Sequence, residues 1–186
     1  MMTTLHYEEQ LQKMFTNINE WLKFAEAKNF GLITLNAAIV FGLSQANFEK
    51  DSVLRFASFY ILLPSLYISF FFSLLSFFPV LRKISKGENF ISAGISKYIT
   101  KGKKFESIHF YGYLRKLNKT EFITEFKLKT NSTQEFTLYE EELVTQILHN
   151  SRITWLKFQL FKLAGFFTLI GVIISPIIFL VIIWIQ

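Results

Sequence analysis

The chain has 186 residues, 51% of them hydrophobic, and a formal net charge of +6. It contains no cysteine, which excludes a disulfide framework, a thiolate nucleophile and a cysteine-based metal site. Three stretches carry no charged residue: 30–46, 56–81 and 163–186. Because about 20 apolar residues cross a bilayer core of ~30 Å, these stretches predict an all-α membrane protein with three transmembrane helices.

Residues 1–29 predict a cytoplasmic amphipathic helix that leads into the first transmembrane helix, 30–46. No proline or glycine precedes Gly31, so we expect one continuous helix. Lys28 can extend the short apolar stretch by snorkelling. A secretory signal peptide is the alternative, since Ser44-Gln45-Ala46 resembles a cleavage site, but the preceding segment is long and unusually acidic.

Polar side chains form a stripe on the first two predicted transmembrane helices. On a straight helix Glu26, Asn29 and Asn36 fall within roughly 80° of one another, and the serines of the second helix, 56–81, fall within a similar arc. Because a polar face in a membrane should contact protein or water, we expect the two to meet, within or between protomers. Packing within the chain is the simpler reading, and a polar path lined by several protomers is the alternative. Pro64 is expected to kink the second helix. This membrane polar stripe, a candidate oligomer face, comprises Glu26, Asn29, Asn36, Ser58, Ser65, Ser69, Ser73 and Ser76.

Most of the 20 basic residues lie in the segment 82–162. Because positively charged loops remain on the cytoplasmic side of a membrane, this segment and the N-terminus are predicted to be cytoplasmic. The short loop 47–55 and the C-terminus then face outward. The basic excess therefore has a topological explanation before any ligand is considered.

The segment 82–162 predicts a cytoplasmic helical hairpin between the second and third transmembrane helices. We expect one helix over 82–101 and another in the later part of 103–129, followed by a turn at 130–134. A β-hairpin at 125–139 is a minor alternative, because apolar and polar residues alternate there.

A long helix is expected after this turn, running without proline or glycine into the third transmembrane helix, 163–186. Its start would be fixed by a capping box, either Ser132 with Glu135 or Thr137 with Glu140.

No catalytic, metal or cofactor site is predicted. The three histidines, His6, His109 and His149, are scattered, and the sequence contains no phosphate-binding glycine motif or nucleophile elbow. We therefore expect a protein that is not an enzyme.

A mixture of basic and aromatic residues follows the second predicted transmembrane helix. Positive charge suits a phosphate and an aromatic ring suits a nucleobase, so a nucleotide is one candidate ligand. Anionic lipid headgroups are the simpler alternative, and nucleic acid is not expected. Arg152 is expected to pair with a glutamate or to face solvent. The candidate ligand-binding residues are Lys101, Lys103, Lys104, Tyr111, Tyr113, Arg115, Lys116, Lys119 and Arg152.

Three motifs together resemble the membrane effectors of the Pycsar family. "WLKFAEAKNFGLITLNAAIVFGL" resembles the helix that runs into that family's first span, with Ala25-Glu26-Ala27-Lys28 where an Ala-Asp-x-Lys-like element is common. "HFYGYLRKL" followed by "TEFITEF" is similar to its aromatic-glycine segment. The stretch beginning "EEELVTQILHNSRITWLKF" is similar to its closing helix and last span. The resemblance covers most of the chain from about residue 11.

The resemblance implies a role in bacterial antiphage defence. The resemblance further implies that a cyclase makes cyclic CMP or cyclic UMP on infection and that the effector, which we expect to be a homo-oligomer in the inner membrane, responds by impairing that membrane. Two alternatives remain open: an effector of another nucleotide-signalling or CRISPR-linked defence system, and a structural subunit of a membrane complex without gating.

Overall fold

The computed structural model describes residues 4–45, 58–78, 107–131 and 133–185. Within these residues every regular element is helical, as the sequence predicts. The helices are α1 (Thr4–Gln45), a π-helical turn (Ser58–Leu62), α2 (Leu63–Leu75), α3 (Tyr111–Leu114), α4 (Lys119–Thr130) and α5 (Leu138–Ile185). The predicted helix at 82–101 lies outside the described residues.

The chain divides into two compact units, and α1 and α5 contribute residues to both. The basic unit comprises 1–25 and 80–156, and the apolar unit comprises 26–79 and 157–186. The prediction that the N-terminal helix continues into the first apolar stretch is confirmed, because α1 is unbroken from Thr4 to Gln45.

The core of the basic unit is built from α1, α4 and the first half of α5. On α1 the buried residues recur at spacings of three and four, which places them on one helical face. Phe122 and Phe126 of α4 stack with ring centroids 5.8 Å apart, and the Tyr7 ring meets Phe126 edge-on at 5.3 Å. The core residues are Tyr7, Leu11, Met14, Ile18, Ile108, Leu114, Phe122, Phe126, Leu143, Val144, Ile147 and Leu148.

Capping residues determine where α4 begins and ends. The Asn118 side chain accepts from the Glu121 amide at 2.8 Å, and the Glu121 carboxylate accepts from the Asn118 amide at 2.8 Å. This reciprocal pair satisfies two amides of the first turn. Asn131 then adopts a left-handed conformation with φ 49° and ends the helix. Because α4 is helical to Thr130, the alternative of a β-hairpin at 125–139 is wrong.

The predicted capping box at the start of α5 is confirmed. The Thr137 amide donates to the Glu140 carboxylate at 2.7 Å, and the Glu140 amide donates to the Thr137 hydroxyl at 3.2 Å. The alternative box included Ser132, which lies outside the described residues. From Leu138 the helix continues to Ile185, so its predicted extension into the last apolar stretch is confirmed.

The apolar unit contains α2 and the membrane-length parts of α1 and α5. Among the described residues, two helices are long and apolar enough to cross a membrane, Tyr7–Gln45 and Leu138–Ile182, and Phe59–Leu75 forms a shorter apolar helix. Pro64 lies in the first turn of α2, directly after the π-helical turn. A proline is tolerated there because the first turn of a helix leaves its amides without intrahelical acceptors.

Candidate functional site: a polar ring in the apolar unit

Three polar side chains from three helices are buried together in the apolar unit. Asn36 of α1, Ser69 of α2 and Thr168 of α5 are 1%, 0% and 4% exposed. The Asn36 amide nitrogen donates to Ser69 Oγ at 2.8 Å, Ser69 Oγ and Thr168 Oγ1 are 2.7 Å apart, and Thr168 Oγ1 donates to Asn36 Oδ1 at 2.9 Å. We call this closed triangle of hydrogen bonds the polar ring.

The donor direction within the polar ring follows from its chemistry. Thr168 has one hydroxyl proton and lies near two oxygens that can only accept, Asn36 Oδ1 at 2.9 Å and the Ala164 carbonyl at 3.3 Å, and we assign the proton to the nearer one, Asn36. Ser69 must then donate to Thr168, and all three bonds run in the same sense. Hydrogen bonds arranged head to tail polarise one another. The polar ring therefore links α1, α2 and α5, and it gives hydrogen-bond partners to polar groups that would have none in an apolar environment.

The contact between Asn36 and the serine face of α2, expected from the sequence, is present within the chain. The remainder of the α1 stripe contacts a different helix. The Asn29 amide donates to the backbone carbonyl of Lys157 on α5 at 3.2 Å. Glu26 forms an ion pair with Lys157 at 2.8 Å, and the Lys157 ammonium lies 5.7 Å from the centroid of the Phe77 ring. The expectation that the entire stripe meets α2 was therefore wrong, because Glu26 and Asn29 face α5.

The other serines of α2 allow the helices to approach closely. Ser65 and Ser76 donate to carbonyls of their own helical segment, at 2.7 Å each. A Cβ added to Gly171 of α5 would overlap the Ser65 hydroxyl and lie 3.0 Å from the Ser65 Cβ, so a larger residue there would require Ser65 to move. Ser73 is fully buried, and within the described residues its hydroxyl has no hydrogen-bond partner. The side chain of Ser58 lies outside the described residues.

Several of the predicted ligand-binding residues make contacts around α3 and the following turn in the basic unit. The Arg115 guanidinium lies 3.8 Å from the centroid of the Trp155 ring. Arg152 donates to the carbonyls of Arg115 and Leu117, at 3.4 and 3.1 Å. The expectation that Arg152 would pair with a glutamate or face solvent was therefore wrong, because the turn after α3 presents backbone acceptors to it.

The two predicted tyrosines make different contacts in the same unit. Tyr111 lies beside Trp21 with ring centroids 5.6 Å apart, and burial raises the pKa of its hydroxyl. The Tyr113 hydroxyl donates to Glu125 at 2.7 Å. Burial by itself would raise the pKa of Glu125, but hydrogen bonds from Lys129 and Tyr113 outweigh burial and hold that pKa below its ordinary value.

The predicted lysines are less constrained where they are described. Lys119 pairs with Glu141 at 2.6 Å in an exposed position, and Lys116 is exposed. Lys101, Lys103 and Lys104 lie outside the described residues.

The basic unit contains a groove that none of these predicted residues lines. Its volume is about 560 Å³. Its walls come from α1, from the segment before α3 and from α4, which are distant in sequence. The lining residues are Gln10, Lys13, Ser107, Ile108, His109, Phe126, Lys129 and Thr130. Sequence analysis missed this groove because no local motif joins these three segments.

Comparison with known proteins identifies the family. The Pycsar effector protein domain, PycTM, matches residues 10–185, which is nearly the whole chain. The chain belongs to the Pycsar effector family. The resemblance drawn from the sequence is therefore confirmed. Searches of curated proteins and of solved structures found no match.

Family membership supports a role as a bacterial antiphage-defence effector. The matched region of this Pycsar effector includes both the polar ring and the groove. Its long apolar helices, together with the family, indicate a membrane protein. Within the described part of the chain, no cluster of three or more histidine or acidic side chains could hold a metal ion.

Proposed function

We propose that this Pycsar effector resides in the bacterial inner membrane, responds to a cyclic nucleotide and impairs the membrane without catalysing a reaction. In this proposal three helices span the bilayer, the N-terminus and residues 82–162 are cytoplasmic, and several protomers act together. The polar ring is the observation that carries the proposal, because it places the hydrogen-bonding side chains of Asn36, Ser69 and Thr168 in the interior of the apolar unit.

The outward-facing side chains of the apolar unit suit contact with lipid. Large hydrophobic residues are exposed on each of its three helices, which is the reverse of a water-soluble surface. They include Phe30, Leu35, Phe41, Tyr60, Tyr67, Phe71, Phe166, Leu169, Ile173 and Leu180. A unit with an apolar exterior and a hydrogen-bonded polar ring in its interior is compatible with an intact bilayer. Membrane damage would then require a rearrangement that exposes those polar groups.

The energy needed to open the polar ring is within the range that a ligand can supply. Inter-helix hydrogen bonds in membrane proteins are worth about 0.6 kcal/mol on average and up to about 1.7 kcal/mol, so three bonds amount to roughly 2 to 5 kcal/mol. A ligand that binds the open state 100- to 1,000-fold more tightly supplies about 2.7 to 4.1 kcal/mol. The differential binding energy of a small signal molecule is therefore comparable to the energy of the ring.

The proposal is tested by recording membrane potential in bacteria that express the chain. Cells receive cyclic CMP or cyclic UMP from a co-expressed cyclase, and a potential-sensitive dye reports depolarisation. We expect depolarisation only when both the protein and its signal are present. A structural subunit without gating would leave the potential unchanged and would co-purify with a stable partner. Polarised cells in which the membrane fraction contains the protein and the cytosol contains the nucleotide would overturn the proposal.

A further inference from the structure

We propose that the groove between α1, the segment 107–109 and α4 binds a small soluble phosphodiester carrying a planar ring, and that this is the signal site. The inference rests on the proposed function and adds the location and chemistry of the site. The groove is a different location from the nine candidate ligand-binding residues that the sequence indicated.

The size of the groove suits a ligand of this class. Small-molecule sites in proteins typically have volumes of roughly 300 to 1,000 Å³, and the groove has about 560 Å³. Ile108 and Phe126 provide an apolar floor, being 6% and 1% exposed. Contact between this apolar floor and the flat face of a ring is more favourable than contact of either with water.

The polar groups of the groove suit a phosphate and the edge of a ring. Lys13 projects from α1 and Lys129 from α4, so two cations from different helices line the same space. His109 adds an imidazole to the lining. The Thr130 hydroxyl donates within α4 but can still accept from a ring edge, and the Gln10 side chain adds an amide to the lining.

Both cations are available to an incoming anion. Lys13 is paired with Glu9 and Lys129 with Glu125, each one helical turn away. The Lys13 side chain is 74% exposed and the Lys129 side chain 40%. The Lys13–Glu9 pair is exposed on both sides, and exposed pairs contribute only about 0 to 1 kcal/mol. Glu125 is only 20% exposed, but it also accepts from the Tyr113 hydroxyl and so keeps a hydrogen bond when Lys129 turns to a ligand. A phosphate that accepts from both ammonium groups therefore replaces weak interactions with charge-assisted hydrogen bonds.

The groove is held in shape before any ligand arrives. The Asn17 side chain donates to the His109 carbonyl at 3.3 Å, which ties the segment before α3 to α1. The Ser107 hydroxyl accepts from the His109 amide at 3.2 Å. Thr130 donates to the Phe126 carbonyl at 2.8 Å. Binding therefore requires little additional ordering of the protein, so the conformational entropy cost of binding is small.

The wall formed by α1 offers a route for regulation. Lys13 and Asn36 lie on the same unbroken helix, 23 residues apart in the sequence. Because a ligand that shifts α1 acts on the helix that carries Asn36, binding in the groove can bias the polar ring.

The test is calorimetric titration of the full-length protein in zwitterionic nanodiscs with cyclic CMP and cyclic UMP. The double variant Lys13→Gln, Lys129→Gln removes both cations at exposed positions, and we expect its affinity to fall about tenfold or more. Lys116→Gln is the matched control, because Lys116 is an exposed lysine of the same unit that does not line the groove. We expect its affinity to equal that of the wild type. His109→Gln, also at an exposed position, provides a second variant with an expected loss of affinity.

Circular dichroism of each variant checks that the helices form. A parallel titration with short-chain phosphatidylglycerol tests whether the groove binds a lipid headgroup or a soluble ligand. Lysine-dependent binding of the lipid in place of the nucleotide would overturn the ligand assignment. If the nucleotides bind the double variant and His109→Gln as tightly as the wild type, the groove is refuted while the proposed function stands. If the wild-type protein binds neither nucleotide, the cyclic-nucleotide step of the proposed function fails together with this inference.

Discussion

Replacement of Thr168 by valine isolates the contribution of the polar ring to stability. Valine has nearly the shape of threonine, so Thr168→Val removes the hydroxyl without opening a cavity. Two of the three ring bonds are lost, those to Ser69 and Asn36. At about 0.6 to 1.7 kcal/mol for each inter-helix bond, the expected loss of unfolding free energy is about 1 to 3 kcal/mol.

Thr34→Val is the matched control for this substitution. Thr34 is exposed on α1, and its hydroxyl donates to the Phe30 carbonyl of the same helix at 3.1 Å. We expect this change to alter stability by less than about 0.5 kcal/mol. Both variants are unfolded reversibly in mixed micelles by increasing the fraction of a denaturing detergent, with tryptophan fluorescence as the signal.

A double-mutant cycle sharpens the measurement. Asn36→Leu removes the amide that accepts from Thr168, so the double variant with Thr168→Val should lose less than the sum of the single losses. Equal stability of Thr168→Val and Thr34→Val, or strict additivity with Asn36→Leu, would refute the view that the ring holds three helices together.

Two further predictions concern helix packing and pH. Gly171→Ala should destabilise the apolar unit, because the added methyl group would overlap Ser65. Gly165→Ala is the control: among the described residues no atom lies within 4 Å of its added methyl group, so it should be neutral or slightly stabilising in the same detergent assay. Glu125 has a folded-state pKa below its ordinary value of 4.5. Its ionised form therefore stabilises the fold above pH 4.5, and this stabilisation disappears as the pH falls through the folded-state pKa. Thermal unfolding should therefore show that the wild type is more stable than Glu125→Gln at pH 7 and that this difference in stability shrinks as the pH falls below about 4.5. A difference in stability that does not change with pH would contradict the lowered pKa of Glu125.

Features set by local periodicity could be predicted from the sequence. The absence of proline and glycine before Gly31 predicted that α1 would be continuous. The spacing of Asn36 and of the α2 serines identified faces that are buried. In each case the relevant signal lies within one helix, where a period of 3.6 residues determines which side chains share a face.

Features set by distant partners could not be predicted in this way. Thr168 looks unexceptional in an apolar run, and only its position opposite Asn36, 132 residues earlier, gives it a role. Arg152 looked like a partner for a carboxylate, but the turn after α3 offers it backbone carbonyls instead. The groove is likewise formed by segments separated by about 100 and 20 residues, so its lysines do not appear as a cluster in the sequence.

The polar ring also has a consequence for the biogenesis of the membrane-embedded effector proposed above. Its members are synthesised in the order Asn36, Ser69 and Thr168. At about 5 to 20 residues per second, roughly 7 to 26 s separate the first from the last. During that interval the Asn36 carbonyl oxygen lacks its eventual donor. A chain truncated before α5 would keep the bond from the Asn36 amide nitrogen to Ser69 but would leave the Asn36 carbonyl oxygen without its donor, so the polar ring closes only once the last helix is made.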